Sequence, residues 1–207
     1  MFGITVFGDS ITFGRGNNFD AGWCDKLKEY FETKDYYNCL FNLGIPGDAT
    51  FDVLERFDVE AKARAKFFRD GDRQVIIFAI GINDSRLNLE GVPDVDLSVF
   101  KKNIDLLIDK AKNYTSEIFF IGLTPVDESL TSDYEGTVFT NARIKQFNGV
   151  IFESCQNKGV VFFNLFDELF KLDYLNLLDD GLHPNKKGYD VMYSLIKDFL
   201  ISKRVID

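Results

Sequence analysis

Five short apolar runs, at residues 2–7, 37–42, 74–80, 117–122 and 160–164, alternate along the whole chain with stretches of helical periodicity. Each run is mostly apolar and too short for a helix, so it reads as a strand buried on both faces. Residues 20–33 place Trp23, Leu27, Tyr30 and Phe31 on one stripe. Residues 50–69 do the same with Val53, Leu54, Phe57, Ala61, Ala65 and Phe68. Segments 98–112 and 137–157 repeat the pattern, and a last helix opens near Pro184, where a missing N–H costs little. Strands that alternate with helices predict a three-layer α/β/α doubly wound fold. Its sheet should be parallel and five-stranded, in the flavodoxin-like order 2-1-3-4-5. With no internal repeat, low-complexity segment or linker, residues 1–207 are expected to form a single domain.

Composition narrows the partners. A hydrophobic share of 45% with 22 phenylalanines is incompatible with disorder. A net charge of −9 argues against a general binder of nucleic acid or anionic membrane, either of which favours a basic face. Cys24, Cys39 and Cys155 have neither metal-ligand spacing nor the pattern of a disulfide framework, so they read as reduced thiols. The N-terminal run lacks a basic leader and reads as a strand rather than a signal peptide. A cytoplasmic protein is the expectation.

Two long loops, roughly 82–97 and 123–136, follow strands and therefore lie at the carboxyl edge of the sheet, where doubly wound folds bind ligands. The same edge should collect the chemistry. Ser10 follows the first strand in Gly8-Asp9-Ser10, Gly44 follows the second, and Asn83 follows the third. His183, the one histidine of the chain, precedes the last helix with Asp180 three residues before it. Taken singly, each has an ordinary reading: Ser10 or Asp180 as a cap, Gly44 as a tight turn, Asn83-Asp84 as an Asx turn. Asp179 is an alternative carboxylate for the imidazole. No Gly-x-Ser-x-Gly elbow and no P-loop occur, and one histidine with scattered cysteines does not make a zinc site. Asp9, Asp48 and Asp84 could share a magnesium ion, but they read better as braces for the loops, so neither metal nor cofactor is expected.

Four blocks then stand in order: Phe7-Gly8-Asp9-Ser10-Ile11-Thr12, Asn42-Leu43-Gly44-Ile45-Pro46-Gly47-Asp48, Gly81-Ile82-Asn83-Asp84 and Asp180-Gly181-Leu182-His183-Pro184. Together they resemble the SGNH hydrolases, the GDSL-type esterases and lipases, from residue 2 to the final helix. One departure is Ile11, where the family name has leucine; one apolar neighbour of the serine replaces another. The resemblance implies a serine carboxylic-ester hydrolase. Ser10 would be the nucleophile, His183 the general base and acid, and Asp180 the carboxylate that orients the ring. It also implies an oxyanion hole made of the Ser10 N–H, the Gly44 N–H and the Asn83 side-chain amide.

Substrate is read from the loops. They carry Asp84, Asp94, Asp96, Asp127, Glu128, Asp133 and Glu135 against Arg86, which predicts an acidic mouth that repels anionic substrates. Neutral small-molecule esters with short, acetyl-type acyl groups fit such a mouth, carbohydrate esters among them. An acyl thioesterase or lysophospholipase on the same scaffold is the alternative, with Arg15 or Arg86 as its supporting feature. A non-catalytic flavodoxin-like binding module and a metal-dependent phosphohydrolase are weaker readings. Oligomeric state has no signature in the sequence.

Overall fold

Strand β1 (Phe2–Gly8) is apolar on both faces because helices cover both, and its Ile4, Val6 and Phe7 are fully buried. The computed structural model describes residues 1–16, 20–66 and 68–207. After β1 come a one-turn helix α1 (Ser10–Phe13), α2 (Trp23–Glu32), β2 (Asn38–Gly44) and α3 (Thr50–Ala65). Next are β3 (Arg73–Ala79), a short β4 (Leu87–Asn88), α4 (Leu97–Ala111) and β5 (Glu117–Ile121). The chain continues through α5 (Glu128–Thr131), β6 (Thr137–Val138), α6 (Asn141–Lys158), β7 (Val161–Phe163), α7 (Leu165–Phe170) and α8 (Lys186–Ser202).

The main sheet has the order β2-β1-β3-β5-β7, and every neighbouring pair is parallel. Counted along the chain, these five strands are in the expected 2-1-3-4-5 order. One face carries α3, α4 and α6 packed in succession; the other carries α2, α8 and α7. A run of phenyl rings crosses the interior, with Phe78 between Phe7 at 5.7 Å, Phe57 at 5.8 Å and Phe120 at 4.9 Å between centroids. Tyr189, Met192, Ile196 and Leu200 form the buried stripe of α8.

Several boundaries differ from the periodicity. The helix expected over 137–157 begins at Asn141, because the Thr140 side chain caps it by accepting from the Arg143 N–H at 3.3 Å. Thr137 and Val138, the first of those residues, instead pair antiparallel with Asn88 and Leu87. The stretch 50–69 is helical only to Ala65, and residue 67 within it lies outside the described residues. Helix α2 starts at Trp23 rather than at residue 20. Helices α1, α5 and α7 are too short to show a period, and none was expected. Among the described residues no helix is long and apolar enough to cross a membrane.

Candidate active site

Register brings the first three strand ends level: Gly8 of β1 pairs with Gly44 of β2 and with Ala79 of β3. Whatever leaves those strands therefore emerges side by side. From β1 the chain enters α1 at once, since the Asp9 side chain caps it by accepting from the Ile11 N–H at 2.9 Å. Ser10 is the first residue of that turn, so its own N–H has no partner inside the helix.

The segment before α8 is a closed loop. Asp179 N–H donates to the His183 carbonyl at 2.8 Å, and Asn185 both caps α8 and donates to the Leu178 carbonyl at 3.0 Å. Gly181, at φ 91°, makes the left-handed bend that lets Asp180 curl back under His183. Asp180 Oδ1 then accepts the Leu182 N–H at 3.0 Å and the His183 N–H at 2.7 Å. Its Oδ2 lies 2.8 Å from His183 Nδ1, and His183 Nε2 lies 2.9 Å from Ser10 Oγ. A carboxylate can only accept, so the ring proton belongs on Nδ1, and Nε2 is left with a lone pair toward the serine. Asp180 holds the ring; Asp179 lends it only backbone. Burial works to raise the Asp180 carboxyl. Hydrogen bonds from the His183 ring, the His183 backbone and the Tyr134 phenol outweigh it and keep the group well below the ordinary carboxylate range.

Asn83 opens the short 3-10 turn Asn83–Ser85 after β3, and its amide donates to the Asp48 carbonyl at 2.8 Å. One N–H of that amide fixes the side chain, and the other remains for a ligand. Gly44 is placed differently from the expectation: its N–H donates to Asn42 Oδ1 at 3.0 Å, and it is absent from the cavity wall that holds Ser10 and Asn83. Gly47 is on that wall. It follows Pro46 in a turn closed by Asp48 N–H to the Ile45 carbonyl at 3.2 Å, with Gly47 at φ 90°. This is the type II arrangement, Pro then Gly, in which the N–H of the third residue takes no part in the turn.

The three aspartates considered for magnesium are all engaged with protein donors. Asp84 accepts from Thr50 N–H at 2.9 Å and from Thr50 Oγ1 at 2.5 Å, tying the third block to the start of α3. Asp48 pairs with Arg56 at 2.8 Å, and the same guanidinium donates to the carbonyls of Leu43 and Gly8 at the ends of β2 and β1. Asp9 caps α1, and burial pushes its carboxyl up to about 7 against the opposing Ile11 hydrogen bond and the field of His183. Among the described residues no group of three or more His, Cys, Asp or Glu could hold a metal ion.

Ser10, Asn83 and His183 open onto one cavity of about 530 Å³, whose far wall includes Tyr134, Glu135 and Arg86. Of the seven acidic loop residues, only Glu135 reaches it. Asp84 is buried, Asp94 pairs with Arg86 at 3.2 Å, and Asp127 caps α5. Glu128 accepts from Asn141 N–H at 2.7 Å and Asp133 from Gly136 N–H at 3.1 Å. The wall carries Arg15 and Arg86 against Glu135, Asp179 and Asp180, so the mouth is mixed in charge with one acid in excess, less acidic than the loops suggest. Loop carboxylates were spent on capping and turn bonds, which composition does not reveal. Tyr134 and Arg56 carry no signal in the sequence; Gly47 does, in the Pro46-Gly47 turn pair.

A three-layer α/β chain with a serine hydroxyl, an imidazole and a carboxylate in line at the carboxyl edge has the make-up of an ester-bond hydrolase. Residues 6–191 match the model of the GDSL-like lipase/acylhydrolase family, and the chain belongs to that family. Solved structures share the fold at low identity. A lipase/acylhydrolase from Enterococcus faecalis is 22% identical with a TM-score of 0.77, over 98% of this chain and 97% of that one. An acetyl xylan esterase from Geobacillus stearothermophilus is 17% identical with a TM-score of 0.70, over 96% and 92%. A psychrotrophic esterase from a Pseudoalteromonas species is 19% identical with a TM-score of 0.70, over 98% of each chain. No curated protein sequence matches the chain.

Proposed function

We propose that the protein hydrolyses carboxylic esters of small molecules bearing short, acetyl-type acyl groups, through Ser10, His183 and Asp180. The line of contacts from Ser10 Oγ to His183 Nε2 at 2.9 Å and from Nδ1 to Asp180 at 2.8 Å carries the reading. Ser10 loses its proton to Nε2 as Oγ attacks the ester carbonyl. Asp180 stays ionised and stabilises the imidazolium. The oxyanion is met by the N–H groups of Ser10 and Gly47 and by the free N–H of the Asn83 amide, with Gly47 taking the part expected of Gly44. His183 then gives its proton to the leaving alkoxide, and water repeats the sequence to release the acid and restore Ser10.

The short-acyl claim rests on the cavity wall. Among the described residues it is mostly polar, and Pro46, Phe139 and Leu182 are its few apolar members, so those residues form no greasy channel for a fatty chain. Neighbours in fold that are acetyl xylan esterases are consistent with an acetylated carbohydrate. Turnover of p-nitrophenyl acetate should exceed that of the octanoate and palmitate, and a preference for palmitate overturns the claim. A serine-directed fluorophosphonate should label the protein and fail to label Ser10→Ala. A phosphonate adduct with its oxygen on the Gly44 N–H instead of that of Gly47 would restore the original assignment. Arg15 and Arg86 on the wall favour a second reading, an acyl thioesterase or lysophospholipase, which faster turnover of an acyl-CoA than of acetyl esters would select.

A further inference from the structure

Among the described residues, the phenol of Tyr134 is the one side chain from the far wall of the cavity that hydrogen-bonds to the Asp180–His183 pair. Its hydroxyl donates to Asp180 Oδ2 at 2.7 Å and lies 3.3 Å from His183 Nδ1. Asp180 thus receives four donors: two backbone N–H groups on Oδ1, and the imidazole and the phenol on Oδ2. Burial, and after it the bond to Asp180, raises the phenol above its ordinary range, so it remains a donor throughout the working pH.

The backbone that delivers this hydroxyl is itself unusual. Tyr134 and Thr137 exchange both main-chain bonds, Tyr134 N–H to the Thr137 carbonyl at 2.7 Å and the reverse at 3.0 Å. Between them Glu135 has φ 52° and Gly136 φ 82°, the two positive values of a type I′ hairpin turn. Glycine adopts such a value freely; glutamate does so under strain, and strained positions of this kind gather at functional sites. The turn is held from below by pairing of β6 with β4 and by the edge-on contact of Tyr134 with Phe139, 6.1 Å between centroids. The strained turn sets the tyrosine where its hydroxyl meets the carboxylate.

We infer that Tyr134 is a positioning residue for ester hydrolysis, acting through Asp180: it occupies one lone pair of Oδ2 and leaves the other for His183 Nδ1. The inference rests on the hydrolytic reading above. An Oδ2 without the phenol is left with an unfilled lone pair or takes up water, and in either case the carboxylate no longer has a single position under the ring. The ring of Tyr134 and its hydroxyl have separable tasks, since the ring lines the cavity and the hydroxyl faces the dyad.

Tyr134→Phe keeps the ring and removes the hydroxyl. It should lower kcat roughly tenfold and leave KM within about twofold, the pattern of a misplaced catalytic group rather than a lost substrate contact. Because the chain has one histidine, its imidazole Nδ1–H proton is unambiguous in an NMR spectrum. That resonance should move upfield and broaden in Tyr134→Phe, as the carboxylate loses its fixed position and the bond to Nδ1 lengthens. Tyr134→Ala should raise KM in addition, by removing the wall. A kcat within twofold of wild type in Tyr134→Phe, or a resonance that stays in place, overturns the inference. If the wild-type protein turned over no ester, the reading of the site would fall while the resonance comparison still decided the role of Tyr134.

Discussion

The two walls of the cavity are built on different principles. On one side Ser10, Gly47 and Asn83 hang from the ends of β1, β2 and β3, three strands in register in a buried sheet. Arg56 and Asp84 staple those exits to α3 from below. On the other side Tyr134, Glu135 and Arg86 ride on a ribbon of two paired residues per strand. That ribbon is tied down by Arg143, whose guanidinium donates to the carbonyls of Ser85 at 2.9 Å and Val95 at 2.8 Å. On the proposed mechanism the nucleophile and the oxyanion donors stand on the rigid wall, and the light one shapes the entrance and reaches the chemistry only through Tyr134. A displacement of about 1 Å in the first would disable that chemistry, whereas the second, Tyr134 apart, can vary with substrate.

If the division is real, the largest losses come from the rigid wall. Ser10→Ala should lose activity by about a thousandfold or more, leaving what binding and the oxyanion donors supply. Residual turnover within tenfold of wild type would break the assignment. Asn83→Ala should lower kcat about a hundred- to a thousandfold with little change in KM. A loss confined to KM would move Asn83 from the oxyanion to the ground-state substrate. On the light wall, Arg143→Ala frees the loop that carries Ser85 and Val95 and should raise KM roughly three- to tenfold, with a kcat loss no larger than that of Tyr134→Phe. A kcat loss as large as that of Asn83→Ala would erase the distinction between the walls.

The smallest effect is on stability, next to Ser10. Asp9 is raised by burial from 3.8 to about 7, so the folded protein retains a proton that the unfolded chain has already lost between those values. The stability this contributes is complete below pH 3.8 and is lost as pH rises through about 7. Asp9→Asn cannot ionise yet still accepts from Ile11. Its Tm should therefore fall less than that of wild type between pH 5 and pH 8, by a few degrees. Parallel Tm curves would show that Asp9 does not titrate in this way.

Much of the architecture was legible because it depends on local pattern. Apolar runs alternating with helical stripes determine a parallel sheet, and strand order places Ser10, Asn83 and the Asp180–His183 pair at one edge. Ser10 and Asn83 came together because a strand end is a fixed point once its register is set, and Asp180 and His183 reach them through the loop before α8. The sequence pointed to Gly44 as the donor after β2, whereas the cavity wall holds Gly47 of the Pro46-Gly47 turn.

What the tertiary structure alone decided is where polar side chains spend their hydrogen bonds. Seven loop carboxylates look like an acidic mouth in one dimension, yet most of them cap helices, close turns or pair with arginine, so only Glu135 reaches the cavity. Thr137 and Val138 read as helix until Leu87 and Asn88, half a hundred residues earlier, offer them a strand to pair with. Tyr134 meets Asp180 across 46 residues through a strained turn that no periodicity announces. Local order follows from backbone preference and apolar spacing, which act between near neighbours. The assignment of a donor to its acceptor depends on distances that exist only after the chain has closed on itself.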